Sequence, residues 1–239
     1  MTGCINWLFG RGASIGCNLT WTVPESWTSM PREEKIDKIK EAIIKEMEDD
    51  KIDTSQYNKF LIHLRNRTSE NWRHLFATTN WDCLLESEIN NLKLNELPKW
   101  MASDHVYHLN GTVEDYPNQA FDSPFLLEED KYTERTSTPE ANILFNHMIA
   151  SETFIVVGMS FECEMDRFLL DSIKRVEDDM PIGNSVWIVL NPDKVALEDS
   201  SSRIATALPR ARVYTKAIRF NEWLNEGMPP LVELGAFTI

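Results

Sequence analysis

The stretches 153–159, TFIVVGM, and 185–190, SVWIVL, decide the fold. Both are rich in β-branched and aromatic residues, and both are apolar at successive positions rather than at every second one. A strand with one wet face alternates. One covered on both faces does not, and such strands belong to parallel sheets held between layers of helix. Working outward, 5–9 (INWLF) reads as a strand ending at Gly10, 74–79 (HLFATT) and 106–110 (VYHLN) as two more, and 212–216 (RVYTK) as a further one. Helical spacing fills the gaps: Leu84, Leu85, Ile89 and Leu92 share a face, as do Phe168, Leu169, Ile173 and Val176. Segment 139–150 opens with Pro139 at a first helical position and continues through Ile143, Leu144 and Met148. Strand–helix alternation of this kind predicts an α/β fold around a mostly parallel sheet, with ligands gathered at the carboxyl ends of its strands.

One region interrupts the alternation. Ile36, Ile39, Ile43 and Met47, then Tyr57, Phe60, Leu61 and Leu64, mark two amphipathic helices joined by an acidic turn at Asp49, Asp50 and Asp53. We read 32–66 as a helical insertion within a single domain spanning 1–239, its charges forming a solvated face or a partner surface. The segment 228–239 (MPPLVELGAFTI) is apolar enough to be either a contact surface or part of the domain's own core.

Composition excludes other classes. Against 38 Asp and Glu stand 24 Lys and Arg, a formal net charge of −14, with no dense basic run. Such a surface repels phosphate backbones, so nucleic acid is not an expected partner. The most continuous apolar stretch, 154–159, is far short of the roughly 20 residues that span a bilayer, and no signal core follows the N-terminus, so no membrane partner is expected. Cys4, Cys17, Cys83 and Cys163 are scattered without a C-x-x-C pair. That argues against a zinc ribbon or a disulfide scaffold and for small buried thiols in a reducing cytoplasm, with no metal.

Polar clusters sit where the strands should end. Gly10-Arg11-Gly12-Ala13-Ser14 is either a phosphate-cradling loop or an ordinary tight turn; it misses the dinucleotide G-x-G-x-x-G pattern because Ile15 occupies the third glycine position. Thr78-Thr79-Asn80-Trp81-Asp82 can hold ribose hydroxyls and position a water, although Asn80 and Asp82 are equally residues that cap helices. His108-Leu109-Asn110-Gly111-Thr112 puts His108 and Asn110 on one face of a strand. A histidine there can act as general base, worth about 3 to 5 kcal/mol of barrier, or be a hydrogen-bonded core residue. Gly158-Met159-Ser160-Phe161 with Asp166, and Asn191-Pro192-Asp193, complete the set.

Taken in order, GRGAS, TTNWD, HLNGT, VVGMSF and VLNPD resemble the motifs of the SIR2-like family of NAD-binding proteins. The resemblance spans residues 5 to about 195 and implies a Rossmann-like, doubly wound, mostly parallel sheet. It implies that Gly10, Gly12, Ala13 and Ser14 lie at the phosphates of NAD. Asn80 would be catalytic, with Asp82 and Thr79 beside it at the ribose. Gly158 and Ser160 would belong to the nucleotide site, and Asn191 would contact the adenosine ribose. The chain departs from the pattern in two places. Arg11 replaces a small residue, and the usual L-H-G-S segment reads Leu109-Asn110-Gly111-Thr112, so Asn110 stands at the histidine position with His108 two residues earlier. We take His108 as the working base and Asn110 as its support.

The family's deacylases carry a zinc ribbon that this chain lacks, so the resemblance is to the zinc-free branch that hydrolyses NAD, often in antiphage defence. The implied activity is NAD hydrolysis to nicotinamide and ADP-ribose, NAD being substrate. The competing readings are an inactive NAD- or ADP-ribose-binding module and, further off, a protein deacylase. Because residues 196–239 leave little room for a sensor, a separate regulatory subunit in a homo- or hetero-oligomer is expected. The compact SIR2-like subunit of Kongming-type defence complexes, which pairs with an inosine-triphosphatase-like nucleotide sensor, is the parallel.

Overall fold

The computed structural model describes residues 3–92, 99–102, 106–113, 125–127, 130, 153–179 and 185–237. The helix expected over 139–150 and the terminal Ile239 lie outside the described residues, as does the side chain of Val176.

Six strands are hydrogen-bonded in the order β3-β2-β1-β4-β5-β6, every pair parallel. They are β1 (Gly3–Phe9), β2 (Trp72–Thr78), β3 (Tyr107–His108), β4 (Thr153–Val157), β5 (Val186–Leu190) and β6 (Arg212–Lys216). The expected α/β, Rossmann-like fold is therefore present. One expectation about it is corrected: the strand read over 106–110 ends at His108. Leu109 N–H bonds Thr78 O and Gly111, at φ 75°, turns the chain back with its N–H on His108 O, so Asn110 sits in a turn rather than on the strand face it was to share with His108.

The helices are α1 (Arg11–Ile15), α2 (Arg32–Met47), α3 (Ser55–Arg67), α4 (Leu84–Asn91), α5 (Glu164–Asp179), α6 (Lys194–Ala207), α7 (Phe220–Asn225) and α8 (Pro229–Glu233). They cover the sheet on both faces, which is why its central strands are mostly apolar on both faces, Asn6 and Thr153 being the buried polar residues in β1 and β4. Ile5, Trp7 and Phe9 point to one core with Ile155, Val157, Ile188 and Leu190, closed by Ile36, Ile39 and Ile43 of α2, by Tyr57, Phe60, Leu61 and Leu64 of α3, and by α7 and α8. Leu8, Phe154, Val156, Trp187 and Val189 point the other way, onto Phe168, Leu169 and Ile173 of α5 and Leu197 and Ile204 of α6. The two helices over 32–66 thus form much of one covering layer, with Glu33, Glu34, Asp37 and Glu41 left facing water. The C-terminal segment is also core. Met228, Leu231 and Ala236 are fully buried, and Phe237 pairs with Thr68 beside the start of β2, so these side chains belong to the domain's own core, while Leu234 is exposed.

One buried polar chain crosses the first core. Trp7 Nε1–H donates to His74 Nδ1 at 2.9 Å, which places the imidazole proton on Nε2, 2.9 Å from Thr68 Oγ1; that hydroxyl donates in turn to Leu64 O. His74 is fully buried beside Arg73, and burial first, then that positive charge, pushes its pKa from 6.5 down to about 3.

Because the unfolded chain takes up this proton near pH 6.5 and the folded chain does not, the stability His74 confers is present above pH 6.5 and drains away as pH falls toward 3. Its full size is roughly 4–5 kcal/mol. Denaturant unfolding measured between pH 7 and pH 4 should show this slope, and His74→Gln, which can still accept from Trp7, should flatten it.

Candidate functional site

The register aligns the strand ends. Phe9 pairs with Thr78 and with Val157, Thr78 with His108, and Val157 with Leu190, so the residues that follow each strand emerge at one level along the carboxyl edge. Chain order reverses between β1 and β4, which is where doubly wound sheets open a crevice.

At that reversal the turns after β1 and β4 touch backbone to backbone. Gly12 N–H donates to Gly158 O at 2.8 Å and Gly10 N–H to Val157 O at 3.0 Å. A Cβ on Gly12 would stand 2.7 Å from Gly158 Cα, and one on Gly158, at φ +63°, 2.6 Å from Ala13 N. The glycines are needed to let two loops interlock. Three amides of the GRGAS segment are used in this way, since Ala13 N–H also bonds Gly10 O.

Above this interlock lies a cavity of about 630 Å³, within the range of small-molecule sites. Its polar wall carries Arg11, Ser14, Thr79, Asn80, Asp82, Gly158, Ser160, Glu162, Cys163, Asp166 and Asn191. Its apolar wall is Leu19, Trp21, Val23, Ile43 and Trp81. Trp81 is braced by its Nε1–H on Leu126 O and by stacking on Phe125 at 5.1 Å.

The polar wall is bonded into one network. Asn80 Nδ2 donates to Gly10 O at 3.0 Å and to Ser14 Oγ at 2.8 Å, and Ser14 Oγ donates to Asp82 Oδ2 at 2.6 Å. Asn80 therefore ties β2 to the β1 turn rather than capping α4, while Asp82 Oδ1 does receive Leu84 N–H at the start of that helix. Thr79 Oγ1–H donates to Asp166 Oδ1 at 2.7 Å, and Asp166 Oδ2 accepts Ser160 N–H, linking the ends of β2 and β4. Burial raises the pKa of both Asp82 and Asp166, against the hydrogen bonds that favour their charged forms. Asn191 Oδ1 accepts Asp193 N–H, and Asp193 caps α6.

Of the residues singled out from the sequence, Ser14, Thr79, Asn80, Asp82, Gly158, Ser160 and Asn191 meet at the cavity. Gly10, Gly12 and Ala13 form the turn beneath it. His108 and Asn110 lie behind the wall, 2% and 0% exposed. Asn110 Nδ2 donates to Thr79 O. His108 Nδ1 lies 3.0 Å from Asn80 O and Nε2 against Glu86 Oε1. A carbonyl only accepts, so Nδ1 is the donor there, and with Glu86 at Nε2 both ring nitrogens are engaged behind the wall. The thiols are divided: Cys17 and Cys83 are buried, Cys4 and Cys163 half-buried. Burial pushes Cys17 up to about 12.

The SIR2-like domain family matches residues 74–209, more than half of the chain. The chain belongs to the SIR2-like family. The match includes the SIR2-like segments around Asn80, Gly158 and Asn191, while the GRGAS turn precedes it. Family membership points to the binding and processing of NAD. No curated protein matches the chain. Among the described residues no helix is long and apolar enough to cross a membrane, and no three His, Cys, Asp or Glu side chains cluster as metal ligands do.

The Leu19–Trp21–Val23 wall escaped the sequence reading because it lies on a loop with neither period nor motif. Glu86, the partner of His108, lies 22 residues before it, on another element.

The interlock can be tested directly. Gly12→Ala and Gly158→Ala should each lower the unfolding free energy by about 2 kcal/mol or more and abolish ligand binding at the cavity. Thermal unfolding and calorimetry read the two effects.

Proposed function

We propose that this cavity binds NAD and hydrolyses its nicotinamide–ribose bond, releasing nicotinamide and ADP-ribose. The observation that carries the reading is the placement of Asn80, its amide clamped by Gly10 O and Ser14 Oγ in the wall of a cavity at the strand-order reversal, with Asp82 on the same serine. The nicotinamide ring leaves as a neutral group, so the reaction needs no strong acid. What it needs is a held ribose, shielding of the oxocarbenium-like state and a water directed at C1′. Asn80 and Asp82 orient ribose and water, and Asn191 and Ser160 hold the adenosine end. A water attacking so electron-poor a carbon gives up its proton late, and Asp82, made more basic by burial, is the group in the wall placed to take it. His108 acts through Asn80, fixing its carbonyl. By the same reading the protein is an effector that depletes NAD in antiphage defence under a separate regulatory subunit, as in Kongming-type complexes; copurification with a neighbouring gene product tests that part.

A second reading, an NAD- or ADP-ribose-binding module without turnover, is favoured by one observation: the histidine has both nitrogens bonded behind the wall.

Nicotinamide release from NAD distinguishes them. Asn80→Ala and Asp82→Asn should lower the rate about 100-fold or more, near 3 kcal/mol of barrier. His108→Ala should lower it about tenfold without changing the pH profile. Loss of the pH dependence in His108→Ala would return the proton-accepting role to His108. Tight NAD binding with no release, alone or with partner, would establish the binding module.

A further inference from the structure

Arg11 fills the position that the family's phosphate turn gives to a small residue, and it lines the cavity. Nη2 donates to the carbonyls of Thr20 at 3.1 Å and Trp21 at 2.5 Å. A guanidinium has five N–H donors in a fixed fork, and among the described residues Nε and Nη1 bond nothing. Neutral carbonyls leave its charge whole, and among the described residues no carboxylate pairs with it. Arg11 is the one cation among the described residues of a wall that also holds Asp82, Glu162 and Asp166.

Three backbone donors of the turn are spent. Gly10, Gly12 and Ala13 direct their N–H groups at Val157 O, Gly158 O and Gly10 O. A dinucleotide brings a doubly anionic diphosphate into a protein of net charge −14, and some group has to offset it. We propose that Arg11 is the anion anchor of the cavity, taking the diphosphate on Nε and Nη1 while Nη2 keeps the Thr20–Trp21 wall in place. The planar fork suits paired phosphate oxygens, a geometry that a lysine does not reproduce. This rests on the NAD reading of the same cavity and adds which residue recognises the charged centre of the ligand.

Calorimetry with ADP-ribose, adenosine and inorganic pyrophosphate on wild type, Arg11→Gln and Arg11→Lys tests it. Arg11→Gln should weaken ADP-ribose about 10- to 100-fold, leave adenosine unchanged and flatten the salt dependence of ADP-ribose binding. Arg11→Lys should recover the salt dependence and part of the affinity. Equal ADP-ribose affinity in wild type and Arg11→Gln overturns the proposal with the NAD reading intact. So does an equal loss for adenosine, which marks Arg11 as a brace for the loop alone. If wild type binds no ADP-ribose, the NAD reading falls, and Arg11-dependent binding of pyrophosphate then decides whether the anchor stands without it.

Discussion

The constraint on which the rest depends is the contact between two turns without side chains. Where β1 and β4 end, Gly10 and Gly12 meet Gly158 at distances that no Cβ can share. Close packing elsewhere in the molecule can yield by rotating a side chain; this contact is backbone on backbone and cannot. It sets the level of Gly10 O, and through it the amide of Asn80, the hydroxyl of Ser14 and the carboxyl of Asp82. The cavity is thus shaped from below by main chain.

Around that contact the fold spends its buried polar groups on holding strand ends together. Thr79 and Asp166 tie β2 to β4, Asn110 supports Thr79 from behind, and His108 supports Asn80. Each bond is modest by itself, about 1 kcal/mol, and leaving any of these atoms unmatched after burial costs more than the bond contributes. A wall made this way is rigid because every defect in it is expensive. That suits a site that has to hold its ligand in one position.

Much of this was legible in the amino-acid order. Two strands apolar on both faces announced a covered parallel sheet, and the polar clusters after INWLF, HLFATT, TFIVVGM and SVWIVL fell at one edge because parallel strands share a direction. What stayed hidden involves partners distant in sequence. Nothing local in HLNGT tells that Glu86 occupies the far nitrogen of His108. Nor does GRGAS reveal that the amides of Gly10 and Gly12 are consumed by the neighbouring strand end, because a glycine that admits phosphate and one that admits another backbone look alike in sequence. The apolar tail was ambiguous for the same reason: Leu231 and Phe237 are hydrophobic whether they cover a partner or their own sheet, and only their burial decides.

The separation of the interlocked turns bears on how the molecule is made. Phe9 lies at the sheet centre, yet its neighbour Val157 follows almost 150 residues later along the chain. Pairings so distant close slowly, after local helices have formed. A chain emerging from the ribosome therefore holds its first glycine turn unseated while those residues are made, and Asn191 and the covering segment through Phe237 arrive later still. Half-made copies have no cavity. Whatever ligand the cavity takes, only a chain made past Asn191 can enclose it.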